Sequence, residues 1–308
     1  VIVVEADEFD RSFLALKPTI AVITNIELEH TDCYDDLNDL KGAFLQFCQS
    51  VPFYGEVIVC IDSPAIREII PKIERPMTTY GRSRDAAYRA ENLRFDSTNS
   101  TYSVFRAEEN LGEIRINVPG EHNVLNSLAS VVIGLEMGLS FSKIQKGIEA
   151  FKGVRRRFEI KGCYNNIMVV DDYAHHPTEI KSTLKASRGG WKKRIIAVFQ
   201  PHLFSRTQAF FREFSDALKE ADVIIITDIY PAREKPIPGI TSELIYNECK
   251  NSGKEQCYYI PDLDNVIKKL DEIVKENDLV LTLGAGSIWR YSEAYARHLE
   301  KNLTEVKG

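Results

Sequence analysis

The sequence predicts an α/β protein with mostly parallel sheets, on three observations. Short β-branched apolar runs alternate with longer stretches of helical period along almost the whole chain. The runs VIVVE, TIAVITN, EVIVCID, NIMVVDDY, RIIAVFQ, DVIIITDIY and DLVLTLG have β-branched apolar centres, and their alternation with helical stretches argues for mostly parallel sheets. Lastly, 308 residues are long for one core, at roughly 100 to 200 residues per domain, so two domains are expected.

Taken in order, the opening VIVVE reads as a buried strand already under way, with no charged leader ahead of it, so the natural chain is expected to extend upstream. TIAVITN and EVIVCID follow as further strands. Residues 89–118 change to strict alternation, as in TYSVFRAEE and GEIRINV, which predicts a small antiparallel side sheet on the first unit. In EHNVLNSLASVVIGLEMG, Val124, Leu125, Leu128, Val131, Val132 and Leu135 recur at helical spacing, and Gly138 is a plausible stop. A helix ends at Gly153, which places the domain boundary there: 1–153 and 154–308. Beyond it, strands again alternate with helices such as FREFSDALKEA and LDNVIKKLDEIVKEN.

Bulk properties exclude several classes. The composition, 44% hydrophobic and 27% charged, is that of an ordinary globular protein, and no apolar run approaches the roughly 20 residues that cross a bilayer. A net charge of −6 gives the surface no general attraction for nucleic acid or anionic lipid. The six cysteines form no C-x-x-C pair, which disfavours a zinc module or disulfide framework and fits the cytoplasm.

Six motifs carry candidate chemistry. Glu5-Ala6-Asp7-Glu8 and Asn25 to Asp32, which includes His30, lie just past the carboxyl ends of expected parallel strands, where open α/β sheets bind ligands. A hard cation such as Mg²⁺ needs only one such carboxylate, a neighbouring group, water and phosphate oxygens; solvated acids capping helices are the plain alternative. Gly120 to Asn126 opens a helix with Asn123 and Asn126 on one face, suited to a purine edge or to capping. Arg155-Arg156-Arg157 precedes a strand, where at most one or two can share one phosphate and the rest are solvated. Asp171-Asp172-Tyr173-Ala174-His175-His176-Pro177 follows a strand and starts a helix; a ribose partner, a carboxylate or proton site and zinc are all conceivable, although adjacent histidines rarely converge on one metal. In Phe199 to Thr207, Arg206 suits a carboxylate or phosphate. Leu283-Gly284-Ala285-Gly286-Ser287 is a weak G-x-G that reads best as a packing turn.

The order of EADEFDRSFL, TNIELEH, VPGEHNVLNSLA, RRRFE, DDYAHHPTE, QPHLFSRT, YPAREKPIPG and LGAGSI over residues 1 to 290 resembles the Mur ligase superfamily, in its branch that joins L-alanine to UDP-N-acetylmuramate. The resemblance implies a central ATP-binding domain at 1–153, truncated at its start, and a C-terminal Rossmann-like domain at 154–308. An N-terminal UDP-sugar domain would precede them. It implies an ATP-dependent amide ligase of peptidoglycan-precursor synthesis, working through an acyl phosphate. ATP is its co-substrate and Mg²⁺ or Mn²⁺ its metal. By position, Glu5 and His30 resemble the metal ligands, and with Arg157 the catalytic set. His122, Asn123 and Asn126 resemble adenine contacts, Arg157 a phosphate contact and Asp172 the ribose partner. Tyr173, His175, His202 and Arg206 resemble the substrate-pocket wall.

Leu203 stands where many relatives carry a second basic residue, and Leu45 where later-acting sister ligases carry a modifiable lysine. No G-x-x-G-K-T phosphate loop occurs in the 308 residues, so this piece alone is expected to be inactive, with an apolar patch left exposed or buried in an oligomer. A tripeptide-recycling ligase and a non-catalytic nucleotide or amino-acid binding protein are the alternatives.

Overall fold

The computed structural model describes residues 1–29 and 33–305. The chain divides into two units, the first made essentially of Val1–Phe95, Asn99–Asn117 and Glu121–Phe151, the second running from Lys152 onward. Each is an α/β unit with one six-stranded sheet.

In the first unit β1 (Ile20–Ile23), β2 (Glu56–Cys60), β3 (Met77–Gly81) and β4 (Tyr88–Asp96) follow one another in parallel, and β5 (Asn99–Arg106) and β6 (Glu109–Ile116) extend the sheet as an antiparallel pair. Val57, Ile58, Val59 and Cys60 of β2 are all buried, as a central parallel strand requires. In β5 only alternate residues, Ser100, Tyr102 and Val104, are buried, so one face stays open. The alternating region therefore does not form a sheet of its own but continues the parallel one. β3 has no counterpart among the predicted strands, because MTTYG is half polar and follows Pro76.

The helices of this unit follow in chain order. α1 (Leu37–Gln49) starts at Asp36, whose carboxylate accepts from the N–H groups of Asn38 and Asp39 at 2.7 and 2.8 Å. It buries Leu40, Ala43 and Phe47, and the ring of Phe13 packs on Phe44 and Phe47. α2 is the short Pro64–Ile69, and α3 (Glu121–Glu136) turns Val124, Leu128, Val131 and Val132 onto β2, β3 and β5. α4 (Phe141–Glu149) then packs on β6.

The opening strand is absent. Residues 1–8 have no regular structure, and Val1, Ile2, Val3 and Val4 are 101%, 89%, 92% and 59% exposed. A strand exists only through hydrogen bonds to a neighbour, and no described strand pairs with these residues.

The second unit has strand order β11-β10-β9-β12-β8-β7. Here β8 (Ile167–Asp172), β9 (Arg194–Phe199), β10 (Val223–Ile226), β11 (Cys257–Tyr259) and β12 (Asp278–Leu283) are parallel, and β7 (Glu159–Tyr164) is an antiparallel edge. Side chains alternate across a strand, and the two faces are cleanly sorted. Met168, Val170, Ile195, Ala197, Phe199, Ile224, Ile226, Leu279 and Leu281 share a core with Ile180 and Leu184 of α5 (Pro177–Gly190), Phe214 and Leu218 of α6 (Phe204–Leu218) and Ile245 of α7 (Glu243–Asn251). Val169, Ile196, Val198, Val223, Ile225 and Val280 face α8 (Val266–Ile273) and α9 (Trp289–Glu305), where Leu270 and Tyr295 are buried.

Neighbouring strands β9 and β12 thus feed helices on opposite faces. Such a reversal at the carboxyl ends of neighbouring strands is where open α/β sheets hold ligands.

Phe214 is fully buried with its ring 5.1 Å from Phe199. Phe214→Ala is expected to cost about 3–5 kcal/mol of stability, read from the urea midpoint of the second unit's transition; a midpoint within error of the parent excludes that ring as a core element.

Candidate functional site

In the first unit Glu5 lies exposed on the irregular opening segment. The chain just after it is pinned: the Tyr34 hydroxyl donates to Glu8 O at 2.6 Å, and Arg11, at φ 61°, donates to Cys33 O at 3.1 Å and pairs with Asp39. The Arg11 guanidinium stands 4.6 Å from the Tyr34 ring centre. His30, the other expected metal ligand, lies outside the described residues. On α3, His122 and Asn126 are exposed and Asn123 is half-buried, all in the first two turns, while Val124 and Leu128 point into the core. Arg82 and Glu121 form an ion pair at 2.5 Å beside them.

The other candidates gather at the carboxyl ends of the second unit's strands. The three arginines do not act alike. Arg156 and Phe158 adopt left-handed φ of 60° and 50°, a costly conformation for side-chain-bearing residues. The kinks turn Arg156 inward, where it donates to Gly284 O at 2.6 Å and reaches Asp171 Oδ2 at 3.4 Å, while Arg157 remains exposed and pairs with Glu179 at 3.4 Å. Both guanidinium groups lie over the Tyr173 ring, at 4.8 and 5.4 Å. Arg156 is therefore not the solvated member that spacing suggests; it ties the segment to the turn after β12.

Asp172 is buried, and its two oxygens accept from the N–H groups of Phe158 and Ala174 at 2.8 Å each. Burial pushes its carboxyl up to about 6 despite those bonds. Asp171, fully buried beside it, is likewise raised by burial and accepts from Thr282 Oγ1 at 2.6 Å. Asp172 thus fixes the backbone around Arg157 and Tyr173.

Next come the histidines. His175 Nδ1 lies 3.0 Å from Tyr173 O, and a carbonyl only accepts, so Nδ1 carries a hydrogen. Glu179 Oε2 accepts from the backbone N–H groups of His175 and His176 at 2.9 and 3.2 Å, closing a capping box on α5 with Pro177 at its start. The adjacent rings diverge: His175 stands 5.9 Å from His202, and His176 packs on Phe210.

His202 Nδ1 sits 3.3 Å from Arg206 Nη1 and must accept, leaving its hydrogen on Nε2. Burial, then Arg206, His175 and Arg233, lower its pKa to about 4, so the ring is neutral at pH 7. The Tyr230 ring stacks on it at 5.7 Å and 14°. Arg206 itself is only 6% exposed. Tyr173, His175, His202 and Tyr230 therefore form a continuous run of rings, with Arg206 buried against His202.

The glycine turn closes this group. Gly284, at φ 147°, has Gln200 O where a Cβ would approach to 2.7 Å, and at Gly286 a Cβ would come within 2.6 Å of Tyr230 Cγ. Gln200 Oε1 accepts from Ile288 N–H at 3.0 Å. The turn needs its glycines for packing, as their lone G-x-G spacing suggested.

Comparison with known proteins bears directly on this arrangement. Residues 1–134 match the Mur ligase middle domain and residues 156–286 the Mur ligase glutamate ligase domain. The UDP-N-acetylmuramate–L-alanine ligase of Geotalea uraniireducens (strain Rf4) is 47% identical over 302 residues, 98% of this chain and 66% of that protein. Its namesake from Salinibacter ruber is 46% identical over 303 residues, 98% of this chain and 64% of that one. The crystal structure of the UDP-N-acetylmuramate–alanine ligase of Thermotoga maritima matches with a TM-score of 0.79 at 26% identity, covering 96% of this chain and 63% of that one.

The chain belongs to the Mur ligase family. It comprises the family's middle and C-terminal domains, and it spans just under two thirds of the length of those relatives. Glu5, His122, Asn123 and Asn126 fall in the Mur ligase middle-domain match, and Arg157, Asp172, Tyr173, His175, His202 and Arg206 in the glutamate ligase match. Three residues with structural roles at this rim, Glu179, Tyr230 and Glu234, are not among the expected site residues. Glu179 was readable, since it stands three positions after His176 at a helix start; the other two sit far along the chain in an irregular loop.

Two outcomes are expected here. Asp172→Asn puts an amide NH₂ against one of two N–H donors, and is expected to cost about 1–3 kcal/mol in urea denaturation; an unchanged midpoint would mean that its carboxylate holds neither. For His202 the unfolded ring, ordinarily near 6.5, binds a proton that the folded ring at about 4 does not. Its stabilising effect is complete above about pH 6.5 and is lost as pH falls toward 4. Asp172 has the opposite sign, because its raised pKa makes the folded state the better proton binder between about 4 and 6. His202→Asn should therefore lose less melting temperature than the parent between pH 6.5 and 4.5, and equal losses would rule out a buried neutral ring.

Proposed function

We propose that this chain is the ATP- and amino-acid-handling part of a ligase that joins L-alanine to UDP-N-acetylmuramate in peptidoglycan-precursor synthesis. The observation that carries the proposal is the Tyr173–His175–His202 ring run ending on buried Arg206, in a chain 47% identical to a protein of that named activity. In the reaction, a carboxylate oxygen of the muramoyl substrate attacks the γ-phosphorus of ATP and ADP leaves. The acyl phosphate that forms is attacked at carbon by the amine of L-alanine, phosphate departs, and the amine gives up a proton.

Arg206 would hold the L-alanine carboxylate, and His202, with its hydrogen on Nε2, is a neutral donor to the same group. Tyr173 and His175 would wall the pocket. Arg157, exposed and held over Tyr173, is the proposed phosphate contact. His122, Asn123 and Asn126 are the proposed adenine contacts. Asp172 is the proposed ribose partner, through the lone pairs its two backbone bonds leave.

A divalent cation fits the exposed carboxylate of Glu5, an oxygen donor of the kind Mg²⁺ prefers, with His30 as the second proposed ligand. Among the described residues no three acidic, histidine or cysteine side chains gather into a fuller cage. Such a cation would supply charge for the transferring phosphoryl group.

In the ligase that contains this chain, phosphate release is expected to require both UDP-N-acetylmuramate and L-alanine. Arg206→Ala should raise KM for L-alanine about 10- to 100-fold, the value of one to two charge-assisted hydrogen bonds. Preference for a tripeptide would move the proposal to the recycling ligase, and no phosphate release with any amino acid would leave a binding protein. Residues 1–308 alone, which contain no G-x-x-G-K-T, are expected to release none; release from them would sink that expectation.

A further inference from the structure

α6 begins without a cap of its own. The residue before its first turn is Leu203, at φ 71°, whose side chain has no acceptor, while the first N–H groups of any helix lack intrahelical partners. Two of these, on Phe204 and Ser205, donate to Glu234 Oε2 at 2.6 and 3.0 Å, and the Ser205 hydroxyl donates to Oε1. Glu234 lies thirty residues further along, beyond β10. Its carboxylate performs from a remote loop what a Ser or Asp usually performs locally, and a negative charge is favoured at that end of the helix.

The same loop is joined to the β9–α6 connection through its backbone. Tyr230 N–H donates to Pro201 O at 2.8 Å, and Leu203 N–H donates to Tyr230 O at 3.0 Å, forming a short parallel bridge between His202 and Tyr230. The Tyr230 ring stacks on His202, and the turn at Gly286 closes against that ring. All of these contacts bear on residues 201–206, the stretch that carries His202 and Arg206. The YPARE run, otherwise without a role, thus acquires one.

We propose that Tyr230 and Glu234 are positioning residues of the amino-acid site, clamping the start of α6 and so fixing where the His202 imidazole and the Arg206 guanidinium stand. The inference deepens the proposed function and rests on it for the ligand; the clamp itself does not. Loss of the clamp has a sign that loss of charge does not. The charged groups bearing on His202 are Arg206, His175 and Arg233, which depress its proton affinity, and Glu234, which raises it. Removing only the Glu234 charge pushes His202 further down, whereas freeing the ring into water moves it up toward 6.5.

The test is histidine NMR titration of the 308-residue chain, with His202 identified by the signal missing in His202→Asn. In Glu234→Gln and Glu234→Ala the His202 midpoint is expected to rise from about 4 by a unit or more. Glu234→Asp should restore much of the parent value, and Tyr230→Leu, which keeps the carboxylate, should shift it in the same upward direction. A midpoint that stays or falls in the Glu234 and Tyr230 variants overturns the clamp, whatever the substrate. In the ligase that contains the chain, Glu234→Gln is expected to raise KM for L-alanine about tenfold with a smaller effect on kcat. A risen His202 midpoint with KM unmoved would leave the clamp standing and remove the amino-acid reading of the site.

Discussion

A parallel sheet covered on both faces has no room for polar chemistry inside its strands. In the second unit every residue of β10 and β12 is buried, and the two faces are filled by different helices. Whatever this unit does with polar or charged groups must therefore happen where strands end. Helix side reverses on both flanks of β12, since α9 lies on one face and α5 and α6 on the other, and the carboxyl ends of β8, β12 and β9 form one such rim. The ring run, Arg206, the glycine turn and the Asp171–Asp172 pair all lie along that rim. A burial constraint on apolar side chains thus determines the address of the polar ones.

The buried charges at the rim are each answered by fixed groups. Asp172 is held by two backbone N–H donors, Asp171 by Thr282 and Arg156, and Arg156 by the carbonyl of Gly284. Unpaired, any of them would be expensive to bury, and pairing alone seldom makes a buried ion pair a net gain over apolar packing. Their contribution lies in direction: the bonds from 156 to 284 and from 171 to 282 join segments distant in sequence, and so determine how the rim loops stand.

The sequence made the long, periodic elements legible. β2, β8, β9, β10, β12 and α3 all sit within runs read from residue type alone, because strands buried on both sides are apolar at every position. Short or half-polar strands such as β3 and β11 were not, since three to five residues hold too little pattern. VIVVE looks like a strand by composition but lacks a partner among the described residues, and pairing is a property of two segments. At the site, His175, His202 and Arg206 were legible because strand ends announce themselves. Arg156 was misjudged because the left-handed turns at 156 and 158 break the alternation that spacing assumes. Glu234 was invisible for a different reason: its partner is a helix terminus thirty residues away, and no local signal records that.

The stacked, neutral His202 has a further consequence. Its lowered pKa lies some three units below neutral pH, so at pH 7 the ring carries one hydrogen and no charge. The positive charge there is carried by guanidinium groups. The donor polarity of this ring is thus set by packing, and a drift of pH around neutrality has little leverage over it.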